Sequence, residues 1–233
     1  MRSIYKKYIA ALSVGICVAT ADDVQATPIT VNNFDFSNPS LANGNSNGGS
    51  IPGWSTTVTT GTIGTYNPGI EYYNNPSIVD PVSSGVIGTM ADPNVAFLYW
   101  GSGQSISTTT GYSIAAGETY RLTVAVGDRN GLYGAPLGGW QIELLDGDSV
   151  LAMQSGMSAP APGSFGDVSL YYTAVAGDSG LIRIRLSQPG VYADYDNVRL
   201  DVVPEPASVM LLGVGFASFS MTRRHFRYTS KKS

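Results

Sequence analysis

Between Thr27 and Val203 the chain contains no lysine, no histidine and no cysteine. Lys6, Lys7, Lys231 and Lys232, the single histidine His225 and the single cysteine Cys17 all lie near the two ends. Without His or Cys the central segment cannot hold a Ser-His-Asp or Cys-His triad, nor a zinc site of the usual kind. Without lysine it cannot form a Schiff base. Without cysteine it has no disulfide, so stability must come from the core or from a bound cation. Positive charge is scarce as well. Arg121, Arg129, Arg183, Arg185 and Arg199 stand against fourteen Asp and Glu residues, a net charge near −9 where the whole chain carries −4. Such a domain repels phosphate backbones and anionic lipid, which argues against nucleic acid as a partner. Phosphate-cradling sequence patterns are missing too, and the glycine-rich stretch from Gly127 to Gly131 opens no helix and reads as a loop. Glycoside hydrolysis needs only two carboxylates, and Asp194 with Asp196 or Glu143 with Asp128 are the candidate pairs. In so acidic a segment such carboxylates are expected to be solvated charges, and the reading is of a domain that is not an enzyme.

The two ends carry what the middle lacks. Arg2, Lys6 and Lys7 precede an apolar stretch from Tyr8 to about Val18, followed by small residues in Ala19-Thr20-Ala21 and again at Val24-Gln25-Ala26. This order predicts a secretory signal peptide over residues 1–26, with cleavage after Ala26 or after Ala21. Ile16, where lipoprotein processing wants a small residue, argues against Cys17 as a lipid anchor. At the other end stand Val203-Pro204-Glu205-Pro206, an uncharged run from Ala207 to Met221, and the basic residues Arg223 and Arg224. As a helix that run reaches only about 22–25 Å, short of the roughly 30 Å hydrocarbon core. The basic residues predict a cytoplasmic far end. The three-part order over residues 203–233 resembles the PEP-CTERM sorting signal of exported bacterial proteins. That resemblance implies an exosortase-type protease as partner, acting at Val203, Pro204, Glu205 and Pro206, and a transient inner-membrane anchor before arrival at the cell surface or outside. A permanent C-terminal anchor is the alternative.

The roughly 175 residues between the ends suffice for one substantial core. Their pattern is β throughout. Tyr120, Leu122, Val124 and Val126 alternate with Arg121, Thr123 and Ala125, and the same period runs through Trp140–Leu144, Ile182–Leu186 and Val198–Val202. Further strands are expected at Ile29–Phe36, Trp54–Thr60, Gly69–Tyr73, Val95–Trp100, Gln104–Thr108, Val150–Met153 and Val168–Thr173. Short strands at this spacing predict a single antiparallel β-sandwich over residues 27–202.

Several motifs sharpen that expectation. Asn33-Phe34-Asp35-Phe36, Ile51-Pro52-Gly53-Trp54, the run Ala116–Val124 and the closing Asp196-Asn197-Val198-Arg199-Leu200 resemble, in that order, the galactose-binding-like jelly rolls of surface proteins and carbohydrate-binding modules. The resemblance implies non-catalytic binding of an extracellular polysaccharide, with a purely structural matrix protein as the alternative. It also implies a structural calcium ion between first and last strands, held by Asp196 and Asp35, although Ser37 stands where such relatives commonly place Glu. Tyrosines in loops are the expected sugar platforms, namely Tyr72, Tyr73, Tyr133 and Tyr192, since an exposed ring offers a flat apolar face and a polar tip. Trp54, Trp100 and Trp140 lie in or beside strands and are expected in the core.

Overall fold

The computed structural model describes residues 25–68, 73, 94–101, 103–129, 138–157 and 161–204, all within the unit Gln25–Pro206. They form twelve strands: β1 (Thr27–Ile29), β2 (Ser46–Gly48), β3 (Ser55–Thr57), β4 (Thr62–Tyr66), β5 (Val95–Tyr99), β6 (Gln104–Ser113), β7 (Thr119–Asp128), β8 (Trp140–Asp146), β9 (Ser149–Gly156), β10 (Ser164–Thr173), β11 (Leu181–Gln188) and β12 (Tyr192–Val203). Two antiparallel sheets result. One has the order β10-β7-β12-β5-β4-β2 with β1 also on β12, and the other β3-β6-β11-β8-β9. The all-β architecture expected from the alternation is what the described residues adopt.

The same alternation places the core. Ala96 and Leu98 of β5, Leu122, Val124 and Val126 of β7, Ala193 and Tyr195 of β12, and Ile142, Ile184 and Leu186 of the facing sheet are buried in one cluster. Trp54 and Trp140 belong to it, each 6 % exposed. Trp100 does not, against expectation. It is 64 % exposed and sits just past β5 with φ of +58°, so the strand stops one residue before it.

Two predicted strands are shorter than expected. Ile29–Phe36 keeps strand geometry only to Ile29, because Asn33 (φ +47°) and Phe36 (φ +52°) turn the chain, and Trp54–Thr60 keeps it only over Ser55–Thr57. The Asn33 side chain fastens the first turn, its amide donating to the Asn38 and Pro52 carbonyls at 2.9 Å each. Gly69–Tyr72, Tyr133, Glu205, Pro206, Arg223 and Arg224 lie outside the described residues, as do the apolar C-terminal run and the signal segment up to Val24.

Strand β12 carries the feature on which the site depends. Its register against β7 slips between Asp196 and Arg199, where Asn197 has φ of +47°. Such a bulge inverts the side-chain parity of everything beyond it. Ala193 and Tyr195 face the core before the bulge, and Val198 and Leu200 face it after. Tyr192, Asp194 and Asp196 therefore share the outer face of the seven-stranded sheet with Arg199 and Asp201.

Candidate functional site

On that outer face, a strip of side chains is buried although it lies away from the core. Tyr66, Val95 and Phe97 form a second apolar cluster, with Tyr99 and Phe165 packed against it. Asp194 sits across from Phe97 on β5 and from Gly127 on β7, and its exposure is zero. A bare carboxylate in such surroundings would be very costly, and here every approach is a donor. Arg129, one residue past β7, binds it in bidentate fashion, Nε to Oδ2 at 2.9 Å and Nη2 to Oδ1 at 3.0 Å. Tyr192 donates its hydroxyl to Oδ2 at 2.5 Å, and Tyr73 donates to the same oxygen. The two hydroxyl oxygens stand 3.3 Å apart.

Rings enclose this polar centre. The Arg129 guanidinium lies 5.1 Å from the Tyr66 ring centroid and 4.7 Å from that of Tyr192. Tyr73 packs on Phe165 at 4.7 Å, and Tyr99 meets Tyr192 edge-on at 6.1 Å. Gly127 makes room for the arrangement. A Cβ there would fall 2.4 Å from Phe165 Cζ and 2.7 Å from the Tyr73 hydroxyl.

Burial and charge set the protonation of these groups. Burial, and then the charge of Asp194, push the Tyr73 and Tyr192 hydroxyls well above the usual tyrosine range. Both remain neutral donors at any physiological pH. Burial works against the charge on Arg129, but Asp194 more than offsets it, so this guanidinium holds its proton more tightly than a free arginine. The centre thus presents one carboxylate, one permanent cation and two phenolic donors within an aromatic box. A carboxylate so placed can exchange a proton, beside rings that already lie against a positive charge.

The sequence-derived candidates are distributed differently from expectation. Tyr73 and Tyr192 come together, but as buried partners of Asp194, 3 % and 1 % exposed, and Tyr192 is a strand residue rather than a loop platform. Tyr72 and Tyr133 lie outside the described residues. Asp194 and Asp196 share a face of β12. Glu143 and Asp128 do not meet as a pair: Glu143 is on β8 of the other sheet, bound by Arg185, whereas Asp128 ends β7. Among the expected calcium ligands, Asp35 accepts from the Ser37 backbone N–H (3.2 Å) and hydroxyl (2.9 Å), and Asp196 accepts from the Asn197 N–H (2.6 Å). Among the described residues no group of three or more acidic, His or Cys side chains converges to hold a metal ion. Val203 closes β12 and Pro204 follows it directly, so the sorting box begins where the last strand ends.

Arg129 was read as part of a glycine-rich loop, yet β7 extends through Gly127 and Asp128 and presents Arg129 to the site. One signal was available. Val95-Ala96-Phe97-Leu98-Tyr99 is apolar at every position, the mark of a strand covered on both faces.

The sequence model of the HpiC1-like family, described as HpiC1 cyclase, matches residues 27–201. The PEP-CTERM protein-sorting motif matches residues 202–224, which makes this an exosortase-sorted surface protein, held in the membrane before its release. Among solved structures, a Stig cyclase, Fisc, from Fischerella sp. TAU, bound to (3Z)-3-(1-methyl-2-pyrrolidinylidene)-3H-indole, superposes with a TM-score of 0.63 at 25% identity, covering 78% of this chain and 100% of that one. A cyclase from the same organism in complex with 4-(1H-indol-3-yl)butan-2-one gives 0.62 at 26% identity, with coverage of 78% and 100%. A carbohydrate-binding module, TmCBM61, aligns at only 0.43 and 12% identity, over 75% of this chain and 99% of that one. No curated protein matches the chain. These matches overturn the expectation that the domain is not an enzyme: they point to a cyclase-type catalytic domain, and the sorting signal is attached to it.

Proposed function

We propose, since this chain belongs to the HpiC1-like cyclase family over residues 27–201, that its sandwich is the catalytic domain of an exported cyclase, with Asp194 as its acid–base group. A single observation carries this reading. Asp194 is a fully buried carboxylate on the outer face of a sheet, where the core has no need of it, and it is surrounded by Arg129, Tyr73 and Tyr192. A ring closure that only relocates a proton needs no oxidant or reductant. The carboxyl group gives its proton to one atom of the substrate, and once the ring has closed the carboxylate takes a proton back from another. Positive charge that develops on the substrate meanwhile faces the π-surfaces of Tyr66 and Tyr192, which already lie against a guanidinium.

Each partner then has a defined part. Arg129 fixes the carboxylate in one plane through two parallel hydrogen bonds. Tyr73 and Tyr192 hold Oδ2, which favours Oδ1 as the oxygen that exchanges the proton. Phe97, Tyr99 and Phe165 form an apolar wall for an aromatic substrate, consistent with the indole compounds bound by the Fischerella cyclases. Binding without turnover is the second reading, favoured by the fact that all the donors around Asp194 are already engaged.

The test uses 4-(1H-indol-3-yl)butan-2-one as probe. Titration calorimetry on the purified exported protein is expected to show one saturable site, weakened at least about tenfold by Asp194→Asn, equivalent to about 1.4 kcal/mol. Ring closure of indole-bearing alkenes by the wild type, lost in Asp194→Asn, identifies an enzyme. Binding of the probe with no turnover of any such alkene leaves the binding module. Unchanged binding in Asp194→Asn rejects the site itself.

A further inference from the structure

We infer that Trp100 is the rim platform of the Asp194 site, the ring on which the aromatic part of the substrate stacks and which sets the preference for indole-sized groups. This rests on the reading of the Asp194 site given above. Three observations meet at this residue. Trp100 is 64 % exposed, while Trp54 and Trp140 are buried at 6 % each. Its backbone has φ of +58°, a left-handed conformation unfavourable for a bulky side chain. Its ring stands edge-on to Tyr99 at 5.4 Å, and Tyr99 in turn meets Tyr192, the donor to Asp194. The exposed indole is therefore two ring contacts from the buried carboxylate.

The surrounding chain is built to keep that conformation. The Trp100 N–H donates to the Val191 carbonyl at 2.8 Å, tying the residue to the start of β12. The Gln104 amide reaches both the Thr60 carbonyl (2.5 Å) and the Tyr99 carbonyl (3.2 Å). Two glycines let the neighbouring segments close on each other. A Cβ at Gly61 would lie 2.3 Å from the Tyr99 carbonyl oxygen and 2.5 Å from that of Trp100, and one at Gly101 would lie 2.1 Å from that of Thr60. A large apolar ring held in water by a strained, clamped backbone gains nothing for the fold. Backbone strain of this kind collects at ligand sites, where a fixed orientation is what matters. A rigid tryptophan supplies wide stacking area with little rotamer entropy to lose.

The inference is tested with the same probe on Trp100→Phe, Trp100→Leu and Trp100→Gly. Stacking predicts affinity in the order Trp, then Phe, then Leu and Gly, the last two weaker by several-fold to about tenfold. Glycine adopts positive φ freely, so Trp100→Gly is expected to melt within a few degrees of wild type. Should Trp100→Gly fail to fold, the Phe and Leu variants decide the matter. Equal affinity of Phe, Leu and wild type, with binding still lost in Asp194→Asn, overturns the platform and leaves the site standing. No binding of the probe by wild type overturns both.

Discussion

At the scale of single residues, the defining object is a charge pair kept where a hydrophobic side chain would suffice. Arg129 is 19 % exposed at its side chain and Asp194 not at all. Burying such a pair gains little stability, because desolvation consumes most of the attraction, but breaking it is expensive. Arg129→Met leaves an unpaired carboxylate among aromatic rings and is expected to destabilise by about 3–5 kcal/mol. The double variant Arg129→Met/Asp194→Leu should recover most of that loss while abolishing binding of the probe. Urea unfolding of the two variants measures both numbers, and a single variant no worse than the double one would show that the pair is not buried in solution. The other four arginines of the described residues form a graded series. Arg121, Arg183, Arg185 and Arg199 also carry acidic partners, with side chains 37, 30, 31 and 21 % exposed. Arg183 with Asp148, itself 96 % exposed, is expected to contribute the least, whereas Arg185 holds Glu143, 3 % exposed at its side chain, and that carboxylate depends on its partner.

At the scale of elements, β12 organises the domain, since it pairs with β1, β5 and β7 and supplies Tyr192 and Asp194. Much of the fold was legible, and for a specific reason: in Tyr120–Val126 and Ile182–Leu186 one face is buried against the core and the other carries polar side chains, so composition alternates with period two. The site was less legible because it depends on what period two cannot express. Val198, Leu200 and Val202 read as one strand, but the bulge at Asn197 joins them to Tyr192–Asp196 with the opposite parity. Arg129 and Asp194 are 65 positions apart, and Tyr73 and Asp194 are 121 apart, so no local window contains the cluster. Asn197 offers the sharpest check on this account. It is buried, 3 % exposed, and held at φ of +47°. Asn197→Gly is expected to stay within about 1 kcal/mol of wild type, since glycine accepts that conformation. Asn197→Val should lose at least about 1–2 kcal/mol to the left-handed backbone alone, with the register of Asp194 disturbed as well. Equal melting temperatures for the two variants would mean that β12 runs straight.

At the scale of the whole molecule, stability rests on a core stapled by neither disulfide nor histidine, with tyrosines among its largest members. Tyr120 and Tyr195 lie in that core at 1 % and 0 % exposure. Burial pushes Tyr120 up to about 12, with Glu118 adding to the shift, and moves Tyr195 upward by the same cause. A group whose folded value is raised keeps its full stabilising contribution below the unfolded value, about 10 for tyrosine, and loses it as pH climbs toward the folded one. Unfolding free energy is therefore expected to fall steadily from about pH 10 upward, and a midpoint constant between about pH 8 and 12 would contradict the burial of these hydroxyls. The last strand also links folding to sorting. Val203 pairs with Thr119 on β7, and Pro204 of the Pro-Glu-Pro box is the next residue. Proline offers no N–H and has its φ fixed, so strand pairing ends at Pro204. Glu205→Ala or Pro206→Ala is expected to leave a larger precursor in the membrane fraction, with the probe-binding domain folded and active on it. Mass spectrometry of the released wild-type protein should find a C-terminus no earlier than Val203, because a cut inside β12 would remove residues that pair with β7. Release of the Glu205→Ala protein at the wild-type level, or a mature end upstream of Arg199, would show that the box is not what the protease reads.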